Sequence, residues 1–370
     1  MSSSGKRKYL EFAALCSLAI GLLWWFGRNL DWPAVRSAVS QANWLLLTGA
    51  TIFICLVYLF RAYRWGALLA PLGSARLSDL FAATTVGFSA VFLLGRAGEV
   101  VRPVALPMRD PRIRPAASFV TIMVERIYDV IAVVLMFAVN LLWFKPPAGA
   151  AFEFSRVRIV GIGLLLFAIV VVWGLTWFRR RSNVVLAWLS RRSEKYRFVP
   201  ARFTRAVLSL LEQLARALRV LVDARELAIT AGWTAMVWLA IGLANLLVLR
   251  AFGLPFGVRE TVFVLGWALV GSLVPTPGGA AGAFHAATAA GLILLGVRRE
   301  KAAAIAIVMH IIDFGPAVIF GLFYFIRGDI NFKRLRSLTS PEAVEHAVED
   351  EAISGERLVK DQTDLLATGD

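Results

Sequence analysis

The sequence predicts an all-α, polytopic membrane helix bundle. Three observations carry this. Of the 370 residues 58% are hydrophobic, and mean hydropathy is +0.69, too apolar for a water-soluble domain. The apolar residues gather into runs of roughly 20, the length a bilayer needs. The twelve Trp residues include Trp24, Trp25, Trp32, Trp44, Trp65, Trp143 and Trp177 near the ends of those runs, where indole rings favour the membrane–water interface.

Full spans are predicted at 9–27, 43–63, 116–144, 157–178, 227–250 and 302–326. The first follows a short basic start, Met1 to Lys8. It ends in Trp24-Trp25-Phe26, a poor cleavage site, so it reads as a transmembrane helix rather than a removed leader. Two further apolar regions are broken midway. Residues 79–107 hold Gly87, Gly95, Gly98 and Pro103; residues 259–297 hold Gly271, Pro275, Pro277, Gly278, Gly279 and Gly282. Gly and Pro interrupt helices. Span, broken hairpin, span over 43–144 recurs over 227–326 in the opposite orientation. The expected architecture is therefore about six full spans plus two broken re-entrant hairpins in an inverted-repeat arrangement. In that plan a binding site lies where the repeats meet, near the bilayer midplane.

Loop charge sets the predicted orientation. The net charge is +15. Basic residues cluster beside the spans, which suits anionic headgroups and the positive-inside rule and argues against nucleic acid as a partner. Lys6, Arg7 and Lys8 place the N-terminus in the cytoplasm. Arg61, Arg64 and Arg76 are read as following the second span, Arg109, Arg112 and Arg114 the first hairpin, and Lys333, Arg334 and Arg336 the last span. Arg298, Arg299 and Lys301 then fall outside, against the rule. Residues 198–223 alternate Leu and Arg at helical spacing, as in an amphipathic cytoplasmic helix lying on the leaflet or packed on the protein. Residues 341–370 carry nine acidic and two basic side chains and no aromatic, a composition expected of a disordered tail following a transmembrane domain over 1–340. Cys16 and Cys55 lie in apolar runs, which suits neither a disulfide framework nor zinc.

Charge inside the spans is the strongest functional signal. Glu125, Arg126 and Asp129 lie near the middle of the span at 116–144. An ionised group at that depth costs roughly 2.5–3.5 kcal/mol by the mildest scale, so it is kept for a partner, a watery cavity or a ligand. Glu125 and Asp129, four apart, share a helix face, and Arg126 reaches Asp129 at three. Arg96, Glu99 and Arg102, at spacings of three, share a face if helical, beside the turn-forming Gly95 and Gly98. A helix restarting near Arg96 presents free N–H groups at mid-membrane, an anion-favouring end. Together these six are the expected substrate-binding set, with the arginines gripping a phosphate and the carboxylates holding the arginines.

In the second hairpin, Pro275, Pro277, Gly278, Gly279 and Gly282 mark the break. His285 follows it, and His310 and Asp313 lie three apart in the last span, a candidate proton-coupling set. The chain has no Ser-His-Asp order, metal-ligand cluster, phosphate loop or nucleotide fingerprint, so no catalytic residue, metal or cofactor is assigned.

Gly95-Arg96-Ala97-Gly98-Glu99 with Arg102, Glu125-Arg126 with Asp129, and Pro275-Thr276-Pro277-Gly278-Gly279 with Gly282 resemble the signatures of the lysylphosphatidylglycerol synthase transmembrane-region family. These are flippase-like integral membrane proteins, and the likeness spans about 10–326. The resemblance implies a helical bundle with re-entrant elements that moves or accommodates polar lipids. Relatives that make aminoacylated lipids carry a soluble transferase domain after the membrane part. A short acidic tail follows here, so synthase activity is not expected. The family pattern has a glutamate where this chain has His285, and an Arg near His310 and Asp313.

The leading expectation is a lipid translocase of a prokaryotic cytoplasmic membrane, multi-pass with both termini cytoplasmic. Its partner would be a phospholipid or polyprenyl phosphate headgroup. The alternatives are a membrane transferase acting on a lipid-linked phosphate, an ion-coupled small-solute transporter and a non-transporting scaffold.

Overall fold

The computed structural model describes residues 17–143 and 224–327, plus residue 14 and single positions between 159 and 181; the side chains of residues 96, 97, 141–143 and 224 lie outside that description. The described elements are helical throughout. They run α1 (Ser17–Gly27), α2 (Trp32–Ser40), α3 (Trp44–Leu69), α4 (Leu77–Leu94), a 3-10 turn (Gly95–Val100), α5 (Val101–Arg109) and α6 (Pro115–Trp143), and then α7 (Ala224–Ala251), α8 (Val258–Gly271), a short turn (Pro277–Ala280), α9 (Ala283–Leu294) and α10 (Arg299–Ile326). Among the described residues, α3, α4, α7 and α10 are long and apolar enough to cross a membrane. The predicted span at 157–178 is represented only by scattered helical positions. The predicted helix at 198–223 and the tail at 341–370 lie outside the described residues.

Local chemistry starts these helices where the chain leaves a turn. The Asp31 carboxylate accepts from Ala34 N at 3.2 Å to open α2. The Asn43 side chain accepts from Leu45 N and Leu46 N at 3.0 and 3.3 Å to open α3. Each satisfies N–H groups that have no partner within the helix. Asn43 N also donates to the Ala251 carbonyl at 2.9 Å, which ties the start of α3 to the end of α7. These two helices pack along each other, with Tyr63 stacked on Trp233 at 4.9 Å. On the outside Leu45, Ile52, Leu239, Ile319 and Ile326 are exposed, as befits side chains bathed by lipid rather than water.

The interior is held by close approach of small residues, the usual device where lipid removes any hydrophobic drive between helices. Ser89 on α4 donates to the Ala317 carbonyl of α10 at 2.6 Å. A Cβ at Gly98 would run into the backbone of Ala90, so the chain folds back tightly against α4 only with glycine there.

Element order over α3–α6 matches that over α7–α10: long helix, broken pair, long helix. In the second pair α8 and α9 have 14 and 12 residues, each shorter than the roughly 20 a crossing needs. In the first pair α4 has 18 residues and α5 only 9. The two breaks touch. Gly95, at φ 64°, lies where a Cβ would sit 3.3 Å from the backbone of Thr276.

The structure corrects the reading of α3. The sequence placed Arg61 and Arg64 in a loop after a span ending at 63. The helix instead runs on to Leu69 and buries both, Arg64 completely. Trp65, expected at an interface, is also wholly buried. Trp24, Trp25, Trp32 and Trp44 are exposed near helix ends.

Candidate functional site

Four helices bring their polar side chains to one place. On α3, Arg61, Arg64 and Trp65 recur three and four apart and so share a face with Tyr58. On α6, Thr121, Glu125 and Asp129 recur every four residues and form one buried stripe. Arg102 comes from α5, and Thr234 and Trp238 from α7. The glycine at 87 lets Arg102 approach: a Cβ there would meet the Arg102 Cγ at 3.0 Å.

The carboxylates are saturated by arginine. Arg102 donates to Glu125 from both Nη atoms, at 2.6 and 2.8 Å. Arg64 grips Asp129 with both of its own, at 2.6 and 3.1 Å, and reaches Glu125 at 3.2 Å. Trp238 Nε1 adds a longer bond to Asp129 at 3.3 Å. Forked, charge-assisted pairs of this kind are the strongest hydrogen bonds proteins make. Aromatic rings back them: the Arg102 guanidinium lies 4.5 Å from the Trp65 ring, and Trp65 donates to Thr121 at 3.0 Å. Glu125 and Arg64 are fully buried, so the network replaces the water each charge has lost.

Two arginines stand apart from this saturation. Arg61 reaches Asp129 only at 3.4 Å and Glu125 at 3.8 Å, with its guanidinium 4.9 Å from the Phe88 ring. Arg126 makes no hydrogen bond or ion pair among the described residues; its Nε is buried without a partner, as are those of Arg64 and Arg102. Four guanidiniums thus surround two buried carboxylates. Both Arg61 and Arg126 line a central cavity of about 270 Å³ between the two halves. Its walls include Tyr58, Trp238 and both breaks, Gly95 on one side and Pro275, Thr276 and Gly279 on the other. Glu99 lies at its rim and Asp313 on its wall. Arg126 and Glu99 also line a second cavity of about 310 Å³ toward α5 and α6.

The expected set is therefore distributed in a more specific way than its spacing suggested. Arg102, Glu125 and Asp129 belong to the closed network. Arg126 and Glu99 face cavities. Asp129 is paired to Arg64 and Arg61 of α3, rather than to Arg126 on its own helix. Glu99 is exposed while Arg102 is buried, because the chain passes from a 3-10 turn into α5 between them. Arg96 lies in the same turn, its side chain outside the described residues. Sequence reasoning missed Arg61, Arg64, Trp65, Thr234 and Trp238. The signal for the first three was present, since Gly66-Ala67-Leu68-Leu69 continues the apolar run past them.

The second break is pinned from α10. Gly278, Gly279 and Gly282 all have positive φ, which only glycine adopts freely. His310 donates from Nε2 to the Gly279 carbonyl at 3.0 Å, and Gly282 N donates to His285 Nδ1 at 3.2 Å. The two imidazole centroids are 4.6 Å apart. His310 is therefore engaged with the turn rather than with Asp313. Tyr58 Oη donates to the Asp313 backbone carbonyl at 2.8 Å, leaving that carboxyl at the cavity wall. Among the described residues no three His, Cys, Asp or Glu side chains are grouped as metal ligands would be.

The chain matches no curated protein and no solved structure. The family model described as the lysylphosphatidylglycerol synthase TM region matches residues 12–321, and thus covers every described element of the bundle from α1 to most of α10. On that extent of match, this membrane protein belongs to the lysylphosphatidylglycerol synthase transmembrane-region family.

Proposed function

We propose that the protein translocates a polar, phosphate-bearing lipid, with the headgroup held in the central cavity by Arg126 and Arg61. The observation that carries this is Arg126: a guanidinium with no hydrogen bond or ion pair among the described residues, facing a cavity beside carboxylates already saturated by other arginines. Its donors are available to an incoming anion at little internal cost. Arg102, first expected to grip the ligand, has both Nη atoms committed to Glu125 and acts as a support. Arg96 sits in the turn beside the cavity and is kept in the binding set on its position.

The partner is a phospholipid or polyprenyl phosphate, and the setting an inner, cytoplasmic membrane with both chain termini on the cytoplasmic side. The expected plan of about six spans with re-entrant hairpins at 79–107 and 259–297 is retained, supported by the short α5, α8 and α9 and by the contact of their breaks. Inverted repeats of this form alternate access by rocking one half against the other around a fixed midplane site. If movement is ion-driven, Asp313 is the group placed to couple it, since it lines the cavity, with His285 and His310 supporting the turn.

The test is leaflet exchange in proteoliposomes carrying fluorescent phosphatidylglycerol or polyprenyl phosphate, followed by dithionite quenching. Arg126→Ala should slow exchange at least about tenfold, the loss of one charge-assisted hydrogen bond. Exchange at the wild-type rate in both Arg126→Ala and Arg61→Ala would end this reading.

A further inference from the structure

We propose that the cleft between α5 and α6 seats an acyl chain of the lipid whose headgroup occupies the central cavity. The inference rests on the lipid-translocation reading and deepens it by naming the route from the bilayer. The second cavity, about 310 Å³, is floored by Phe88 and Val91 of α4 and flanked by Pro103 of α5 and by Phe119 and Met123 of α6. Its lip is apolar and open: Val100, Phe119 and Met123 are 51%, 44% and 49% exposed. On a bundle whose outer surface meets lipid, such a lip opens into the hydrocarbon.

The two cavities share Phe88, Val91, Glu99 and Arg126 as lining. The cavities are therefore adjacent, and a lipid spanning them places its apolar part among the aromatic and aliphatic side chains and its anionic part on Arg126. That division suits an amphiphile. A free phosphate gains nothing from the apolar cleft, and a hydrocarbon gains nothing from Arg126. The charges at the junction are Glu99, which is exposed, and Arg126, which makes no hydrogen bond or ion pair among the described residues; Arg126 fixes the headgroup end of the lipid at the inner side of the cleft.

The experiment uses the full chain in vesicles of phosphatidylglycerol doped with the same lipid carrying a diazirine midway along one acyl chain. Cross-linked positions are mapped by mass spectrometry, and leaflet exchange is followed in parallel. In the wild type, cross-links concentrate at Phe119 and Met123. Arg126→Ala lowers them at least fivefold there but not at Leu322, an exposed α10 position that lines neither cavity. Met123→Trp, which fills the cleft from an exposed position, slows exchange at least fivefold, while Leu322→Trp does not. The wild-type and Arg126→Ala comparison needs no change in the cleft and stands even if Met123→Trp folds poorly. Cross-linking at Met123 that equals that at Leu322 and ignores Arg126→Ala, with normal exchange in Met123→Trp, overturns the seat. In that case slowed exchange in Arg126→Ala leaves the translocation reading standing. Normal exchange in both Arg126→Ala and Arg61→Ala overturns both.

Discussion

Arg102 and Glu125 meet as two parallel forks inside the membrane domain, with both guanidinium Nη atoms on both carboxylate oxygens at 2.6 and 2.8 Å. Neither side chain sees appreciable solvent. The pair joins the short helix α5 to the long helix α6, and through Glu125 it joins both to Arg64 of α3. A contact of this kind fixes geometry more than it adds net stability, because both charges have lost their water.

Breaking that pair from one side should therefore be worse than removing it whole. Arg102→Ala or Glu125→Ala is expected to lower stability by about 3–5 kcal/mol, since each removes the forked partner of a buried charge, leaving Glu125 with Arg64 alone at close range or Arg102 with no carboxylate. The double variant Arg102→Met, Glu125→Leu should lose less than either single variant. Thermal unfolding of the detergent-purified protein orders the three.

Arg126 should behave in the opposite way. It makes no hydrogen bond among the described residues, so Arg126→Ala should change stability by less than about 0.5–1 kcal/mol while slowing lipid exchange. Glu125→Ala should unfold more readily at any rate of exchange. Measuring thermal midpoint and exchange on the same preparations separates the grip from its scaffold.

The sharp return of the chain after α4 depends on a missing side chain. Gly98→Ala would drive a methyl into the Ala90 backbone. Overpacking of that order costs about 1–3 kcal/mol. Gly232→Ala, on α7 with open space around it, should be neutral or slightly stabilising in the same assay. Equal midpoints for the two would show that the close approach at Gly98 is unimportant.

One acidic residue outside the spans sets a pH dependence. Arg112 donates to the Asp110 carboxylate at 2.7 and 2.8 Å in the loop between α5 and α6, and holds its carboxyl below the ordinary range. A depressed carboxyl contributes stability above its unfolded value and loses it as pH falls through the folded value. The difference in thermal midpoint between wild type and Asp110→Asn should thus be present at neutral pH and shrink below about pH 4. A difference that grows on acidification contradicts the assignment.

Asp313→Asn tests coupling. If the carboxyl at the cavity wall carries a proton during transport, the variant loses the response of exchange to an imposed pH gradient but keeps its exchange without one. His310→Ala should instead loosen the turn at Gly279, seen as faster backbone hydrogen exchange over 275–282.

Much of the fold was legible because hydropathy and helix-breaking residues act locally. Runs of apolar residues gave α3, α6, α7 and α10, and the Gly and Pro clusters gave both breaks. The paired carboxylates at 125 and 129 were legible from their depth and spacing alone. What was not legible was who answers them. Sequence spacing nominates neighbours on the same helix, Arg126 for Asp129, whereas the tertiary fold supplied Arg64 from 65 residues away. Arg61 and Arg64 were lost to the loop reading because a charge near the end of an apolar run is more often solvated than buried. Their burial required partners that only the folded bundle reveals. The change from the 3-10 turn holding Glu99 to the α-helix holding Arg102 was likewise hidden, since a spacing of three fits one helical face until the helix type changes partway.

The meeting of Gly95 with Thr276 has a mechanical consequence. No side chain intervenes on the glycine's side, so the two halves meet there backbone to backbone. A methyl added at Gly95 would crowd the Thr276 peptide and be strained at φ 64°, so the seam tolerates no bulk.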